Sequence, residues 1–304
     1  MNRKLGVPYM GSKRVLAYEI VNYITAQNPN CKYFYDLFGG GGAISFQALQ
    51  HKNIDTVFYN EIDTGVVELI KKIRDNGVTG EFYKWIDRDT FHAHKFDNDW
   101  RGGLIKTCWS FGNNQSSYLF SKEIEHTKRL MHEVVVNWCE NSHNELLKIG
   151  LNIPSSIFDG KTITKRRLFL KKYALERIDL EQLQQLERLE QLERLGQLER
   201  LELTNLSYES VQINTPISET VIYLDPPYQS TAKYQNGIDH DKLLKWIKES
   251  PYKIYVSSYD FDLPLVKSIN HRSSLSATNN AKKVVENLYC NREIILTKQL
   301  NLFS

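Results

Sequence analysis

The sequence predicts an α/β fold: a Rossmann-like, mixed and mostly parallel sheet with flanking helices, interrupted by a helical insert. Three observations predict it. An apolar segment, Lys32 to Phe38, runs into Gly39-Gly40-Gly41-Gly42, passes through a helical stretch, and is followed by a second apolar segment that ends at Glu61. Much later, a strongly apolar run from Thr220 to Leu224 stops abruptly at Asp225-Pro226-Pro227-Tyr228. Between them lies a long stretch of different character, so one sheet is built from two separated parts of the chain.

The elements follow in order. Residues 14–26 carry Val15, Leu16, Ile20, Val21 and Ile24 at helical spacing and predict an amphipathic helix. Lys32 to Phe38 contains Tyr33, Phe34 and Tyr35, good strand formers, and predicts the first strand. Ala43 to His51 predicts a helix, Asp55 to Asn60 a second strand, and Gly65 to Asp75 another helix. Strand, glycine turn, helix, strand, acid and helix make the first half of a doubly wound nucleotide-binding fold. Residues 80–175 are rich in Trp, His, Asn and Lys with weak periodicity, and read as a separate, mostly helical insert. Within it, Trp109 to Gln115 reads as an ordered loop rather than a core element.

Residues 176–202 are a low-complexity repeat, with Leu at 180, 183, 186, 189, 192, 195, 198 and 201. The period is three, so each step slips the leucine by about 60° around an α-helix. The leucines spiral and form no coiled-coil seam, and the segment reads as a solvated helical arm or surface insertion. Strand character then returns in Thr220 to Leu224 and Lys253 to Ser257, with a helix from His240 to Ser250 and a hairpin-like pair from Leu288 to Thr297. The predicted organisation is 1–79 with 203–304 as one domain, 80–175 as the insert, and 176–202 as the repeat.

Composition narrows the class. The chain has 304 residues, 41% of them hydrophobic and 25% charged, which fits a globular protein with a sizeable core. A formal net charge of +3 permits nucleic-acid binding only through a local patch. Cys31, Cys108, Cys139 and Cys290 are scattered with no C-x-x-C pair, which points to free thiols in a reducing compartment rather than a zinc site or disulfide framework. The start lacks the apolar run of a signal peptide and no stretch of about 18 apolar residues exists, so a cytoplasmic location with no membrane partner is expected.

Asp225-Pro226-Pro227-Tyr228 carries the strongest chemical signal. It follows a buried strand at its carboxyl end, where open α/β sheets bind ligands. Two prolines withhold two N–H donors. An acid beside a proline carbonyl is an acceptor pair suited to an amino group with two hydrogens, and Tyr228 supplies a flat face. An aromatic amine is a poor nucleophile because its lone pair is delocalised. Accepting both hydrogens favours a pyramidal nitrogen and positions it for in-line attack on a sulfonium methyl. No metal is needed. The bland reading of the tetrapeptide is a strand-to-turn exit, since Asp and Pro both favour turns.

The glycine run after the first strand lets the backbone approach a ligand closely. Its spacing is not G-x-G-x-x-G, which disfavours a dinucleotide. Asp36, ahead of the glycines, suits an ammonium group, and Glu61 is placed to accept from ribose hydroxyls. Tyr9-Met10-Gly11-Ser12-Lys13 lacks the first glycine of a P-loop and, taken alone, reads as a helix start capped by Ser12.

Taken together and in order, Tyr9-x-Gly11-Ser12-Lys13, Asp36-Leu37-Phe38-Gly39, Asn60-Glu61-Ile62 and Asp225-Pro226-Pro227-Tyr228 resemble the Dam-like family of S-adenosylmethionine-dependent DNA adenine-N6 methyltransferases. The resemblance covers roughly 1–75 and 203–297. It implies site-specific methyl transfer to the exocyclic amino group of a flipped-out adenine in double-stranded DNA, with 80–175 as a target-recognition insert. Asp225, Pro226, Pro227 and Tyr228 become the catalytic set. Tyr9, Gly11, Lys13, Asp36, Phe38, Gly39, Glu61, Ile62, Ser207, Tyr208 and Asp225 become the cofactor-side residues. Asp36 would accept from the methionine ammonium, Glu61 would hold the ribose, and Ile62 would pack on the adenine ring. Family members often carry Asp at the Glu61 position, and the Leu repeat has no counterpart in the pattern. A cognate restriction endonuclease or a phage setting is compatible with the reading.

Weaker candidates remain. Lys161, Lys165, Arg166, Arg167, Lys171 and Lys172 suit phosphate contacts, or form a solvated helix face. Asn113, Asn114 and Gln115 could read adenine edges, or are simply a polar loop. His92 and His94 read as surface histidines rather than metal ligands. Two rival functions stand beside adenine methylation: cytosine-N4 methylation by the same chemistry, and a catalytically idle DNA-binding module of the same fold.

Overall fold

A computed structural model of the chain describes residues 5–173, 183–193, 198–227, 238–272 and 283–292. The chain divides into two compact units. One comprises 1–4, 13–62 and 197–304, and the other 5–12 and 63–196. The division falls at 62/63, so the helix after the second strand, placed with the sheet by its sequence order, groups by contacts with the insert.

The first unit is a mixed α/β fold. Among the described residues its sheet has seven strands: β1 (Tyr33–Asp36), β2 (Thr56–Asn60), β3 (Leu201–Thr204), β4 (Thr220–Leu224), β5 (Lys253–Ser258), β6 (Leu265–Arg272) and β7 (Lys283–Cys290). Their order is β3-β2-β1-β4-β5-β7-β6. The first five are parallel, and β7 runs antiparallel to both β5 and β6. The chain builds outward from β1 through β2 to β3, then resumes on the other side with β4 and β5. The β1/β4 boundary is therefore the topological switch point, the place beyond whose strand carboxyl ends open α/β sheets bind ligands. β1 and β4 are aligned through Asp36↔Tyr223, which puts Asp36 and Asp225 on the same rim.

Sequence explains most of this unit. All five residues of β4 are buried, as a continuous apolar run between two parallel neighbours requires. Helix α1 (Ala17–Gln27) buries Ala17, Ile20, Val21 and Ile24, while Val15 stands outside it in a 3-10 turn and is 60% exposed. Helix α2 (Ala43–Ala48) starts at Gly42, whose φ of 74° is left-handed and whose missing Cβ would meet the Phe46 ring at 2.6 Å. The hairpin lies earlier than expected. β6 supplies its first strand, and Leu288 to Cys290 belong to the second; 293–304 lie outside the described residues.

The second unit is helical: α3 (Thr64–Asn76), α4 (Arg88–His94), α5 (Trp100–Cys108), α6 (Lys122–Asn137), α7 (Glu140–Lys148), α8 (Ile163–Tyr173) and α9 (Gln184–Glu193). Asp63, Asp87 and Asp99 cap α3, α4 and α5 by accepting backbone N–H groups. Helices α3 and α5 cross backbone to backbone. A Cβ on Gly103 would fall 1.9 Å from the Gly65 carbonyl, and Lys106 pairs with Asp63 beside the crossing.

Two sequence expectations are corrected here. Trp109 lies in the bend that ends α5, as a loop residue would, but it belongs to the core. It is fully buried, edge-on to Trp85 at 5.0 Å and packed with Phe120 and His132. Burial lowers the pKa of His132 to about 4, so the ring is neutral and donates through Nε2 to the Tyr83 carbonyl at 2.9 Å.

The Leu repeat is not a solvated arm. Leu183, Leu186, Leu189 and Leu192 are all at most 2% exposed. Gln185, Arg188 and Glu190 on the same helix are buried too. The spiral of leucines that rules out a two-helix seam suits a central helix with neighbours on most sides. Arg188 donates to the carbonyls of Thr107, Cys108 and Ser110 at 3.3, 2.7 and 2.9 Å, satisfying the C-terminal end of α5. The end of the repeat enters the sheet: Leu201 opens β3, and Arg200 donates to the carbonyls of Leu49, His51 and Ile54. Leu180 and Leu195 lie outside the described residues.

No helix among the described residues is long and apolar enough to cross a membrane, and no group of His, Cys, Asp or Glu among them could hold a metal ion. The cysteines are free thiols.

Candidate functional site

Three acids converge on the carboxyl rim of the parallel strands. Asp36 ends β1, Glu61 follows β2, and Asp225 follows β4. The strands are buried and their exits abrupt, so each acid is fixed by the backbone that carries it.

Asp36 is 1% exposed. Its Oδ2 accepts from Ser45 Oγ at 2.7 Å, while Oδ1 is buried with no hydrogen-bond partner. Burial raises its pKa to about 7, with Asp225 and Glu61 adding to the effect and Ser45 opposing it. A buried carboxylate oxygen without a donor is costly, and a donor-bearing cation would relieve it.

Glu61 is buried and its Oε2 accepts from the Gly40 N–H at 2.7 Å. The glycine turn is locked to β2 a second way, by Tyr59 Oη donating to the Gly40 carbonyl at 2.7 Å. Gly39 has no alternative here, because a Cβ would sit 2.1 Å from the Tyr59 ring. Asn60 ties the rim together. It donates to the carbonyls of Leu37 and Leu206 at 3.1 and 2.9 Å and accepts from Thr204 Oγ1 at 2.8 Å. Asn205 in turn donates to the carbonyls of Glu61 and Ile62. Ile62 is 67% exposed, an apolar side chain standing free at the end of β2.

Asp225 is paired with Lys13, Nζ to Oδ1 at 2.7 Å. Lys13 is itself buried, in the turn before α1, and also lies 3.5 Å from Glu286 of β7. Burial raises the Asp225 pKa, and the Lys13 ammonium opposes that rise. Tyr223 donates to Ser257 Oγ at 2.7 Å beneath this group, and burial followed by the Asp225 charge pushes its phenol well up. Pro226 is buried and Pro227 half-buried; Tyr228 lies outside the described residues. Phe38 packs on Tyr208 at 5.5 Å, and Ser207 Oγ pairs with Ser210 Oγ at 2.8 Å. The first unit thus brings together Lys13, Asp36, Phe38, Gly39, Glu61, Tyr208 and Asp225. Tyr9 and Gly11 fall in the other unit. Gly11 has a left-handed φ of 74° in open space, and the Ser12 hydroxyl is buried without a hydrogen bond rather than capping a helix.

Among the described residues, the carboxylates of Asp36, Glu61, Asp225 and Glu286 outnumber the buried Lys13 ammonium and leave the rim anionic. Such a site attracts a ligand carrying positive charge, and the open Asp36 oxygen marks where an ammonium donor fits.

Residues 9–100 match the model of the D12 class N6 adenine-specific DNA methyltransferases. A methyltransferase domain of that class is therefore present over these residues, which contain Lys13, Asp36 and Glu61. Asp225 lies beyond the match. No curated protein matches the chain.

The candidate DNA contacts divide. Lys165 is exposed on α8, as are Lys161 and Lys172 nearby. Arg166 and Arg167 are turned inward. Arg166 donates to the carbonyls of Val135 and Gly160, both at 2.6 Å, and Arg167 clamps Glu190 through two nitrogens at 2.8 and 2.9 Å while reaching Glu187 at 2.8 Å. These two guanidiniums are structural ties to α6 and α9 rather than phosphate ligands. Asn113 and Gln115 both hold positive φ, near 60°, and Asn114 spends its side chain on Ser116 and Ser117. His92 and His94 are exposed, His94 beside Asp97. Arg167→Ala should lower the unfolding free energy by about 3 kcal/mol in urea, because two largely buried glutamates lose their partner. Lys165→Glu should change it by less than about 0.5 kcal/mol.

Proposed function

We propose that the chain transfers a methyl group from S-adenosylmethionine to the exocyclic amino group of a flipped-out adenine at a specific site in double-stranded DNA. The observation that carries this is the position of Asp225 and its two prolines at the switch point, on one rim with the buried, unpartnered Oδ1 of Asp36. Bound S-adenosylmethionine supplies an electrophilic methyl on a sulfonium. Asp36 accepts from its ammonium, Glu61 from its ribose, and Ile62 and Phe38 offer apolar surface to its adenine ring. Asp225 and the Pro226 carbonyl accept the two amino hydrogens of the target base, Lys13 holds Asp225 in place, and Tyr228 stacks on the base. A base must leave the duplex to reach such a group, at a cost of a few kcal/mol. The helical unit reads the DNA, with Lys165 on phosphate and the Asn113–Asn114 loop toward base edges.

The test is methyl transfer from labelled S-adenosylmethionine to unmethylated genomic DNA, with nucleosides resolved by mass spectrometry. N6-methyladenine supports the reading. N4-methylcytosine keeps the chemistry and changes the base. Cofactor binding without transfer to any DNA overturns it in favour of an idle binding module.

The raised Asp36 pKa has a definite sign. Its folded value near 7 exceeds the ordinary value near 4, so the folded state holds the extra proton between them. Stability of the ligand-free protein therefore falls as pH rises through that window. An ammonium donor favours the ionised form and reverses this. The increase in Tm on adding S-adenosylmethionine should be larger at pH 8 than at pH 5.5, with affinity falling up to about tenfold per unit below pH 7. An equal thermal shift at both pH values would separate Asp36 from the ammonium.

A further inference from the structure

We infer that Glu286 is a positioning residue of the methyl-transfer centre, setting through Lys13 how strongly Asp225 accepts a hydrogen bond. The inference rests on the methylation reading for its functional consequence, but the coupling itself stands on geometry. Strand β7 is the antiparallel strand inserted between β5 and β6. Its pairing of Asn287 with Ser258 and Leu288 with Ser257 carries Glu286 to the carboxyl rim of the parallel strands, the side where Asp225 emerges. Antiparallel insertion thus delivers an acid to a rim that parallel strands otherwise furnish. Glu286 is 3% exposed and lies 3.5 Å from Lys13 Nζ, while the same nitrogen donates to Asp225 at 2.7 Å. One buried ammonium is shared between a carboxylate at the reacting position and a carboxylate set back from it.

The sharing has a chemical consequence. An ammonium that serves a single carboxylate draws charge from it and weakens it as an acceptor. A second carboxylate on the same ammonium offsets that pull. Asp225 then keeps the charge it needs to accept a hydrogen from the target amine, and Lys13 still fixes its orientation. Among the described residues, the charged and titratable groups around Asp225 include Lys13 from the turn before α1, Asp36 from β1, Glu61 beyond β2, Tyr223 within β4, and Glu286 from β7. Of the carboxylates in this group, Glu286 is the one with no direct part in the proposed binding of cofactor or base.

The experiment compares wild type, Glu286→Gln and Glu286→Asp. Removing the charge leaves Lys13 to act more fully on Asp225. In Glu286→Gln, kcat should fall about threefold with KM for both substrates essentially unchanged, and the acid limb of the kcat profile should move to lower pH by about half a unit. Glu286→Asp, which keeps the charge, should hold the wild-type limb and recover most of kcat. Carboxylate titration by 13C NMR on the ligand-free proteins reads the same coupling without turnover: the Asp225 pKa should be lower in Glu286→Gln. An unmoved Asp225 pKa in a folded Glu286→Gln protein overturns the inference, as does a Glu286→Asp protein whose Asp225 pKa shifts as far as that of Glu286→Gln. So does a fall in kcat with an unmoved pH limb. A shifted Asp225 pKa in a protein that methylates no DNA would instead overturn the methylation reading and leave the coupling standing.

Discussion

Asp225→Asn is expected to lower kcat for methyl transfer by about a thousandfold or more, with the protein folded and still able to bind S-adenosylmethionine. The side chain keeps its size and one carbonyl oxygen, so the local packing is preserved. What it loses is the charge that makes it a strong acceptor, and it brings a donor where the amino group of the base must donate. Lys13 also loses the closer of two carboxylates, 2.7 Å away, and is left with Glu286 at 3.5 Å. Because the acceptor matters most as the nitrogen becomes pyramidal, the loss should fall on kcat rather than on KM. Single-turnover methylation with cofactor and DNA saturating isolates the chemical step, and Tm measured with and without S-adenosylmethionine checks fold and cofactor site. A variant that transfers methyl groups at the wild-type rate would remove Asp225 from the mechanism. Asp36→Asn should do the converse, weakening cofactor binding with a smaller effect on the saturated rate, because that carboxylate is held by Ser45 of α2 and is assigned to the cofactor's ammonium rather than to the base.

The acids of the rim were legible in the sequence, and the reason is local. Each of Asp36, Glu61 and Asp225 stands at the end of a short strand-forming run, and the prolines directly after Asp225 and the glycines three residues after Asp36 mark the exits of two of those strands. Glu286 carried no such mark. It sits inside a strand, not at its end, and its partner Lys13 comes from the opposite end of the chain, so only the antiparallel pairing of β7 reveals it. The arginines of α8 were misread for a related reason. Six cations in Lys161 to Lys172 look alike as a string, but their helical phase differs. Lys165 faces outward, while Arg166 and Arg167 meet carbonyls and carboxylates within the helical unit. Trp109 was misread because the polar residues after it suggested a loop, whereas the ring itself is the hub of an aromatic cluster.

Placing one charge on the Leu repeat should unfold the helical unit. Leu186 and Leu189 are both 0% exposed. Truncating either to alanine should cost about 3 kcal/mol, and Leu189→Asp, which puts an unpaired carboxylate into the same space, should cost more than a typical domain's margin of 5–15 kcal/mol can easily absorb. Arg188→Ala should also be expensive, since three carbonyls at the end of α5 lose a shared donor. The helix is further bound to α8 through Arg167 on Glu187 and Glu190, so the effects of neighbouring substitutions should not add. A solvated spacer would behave oppositely, tolerating all of these changes within about 0.5 kcal/mol. Circular dichroism and urea denaturation of the full chain decide between them, and wild-type stability of Leu189→Asp would return the repeat to the surface. The same physics makes a repeat of this kind unusual as a core element. Its period of three turns each leucine about 60° from the one before, so over several steps the row leaves any single face, which defeats a paired coil. A helix enclosed on several sides needs apolar contact in several directions, and that is what a spiral supplies.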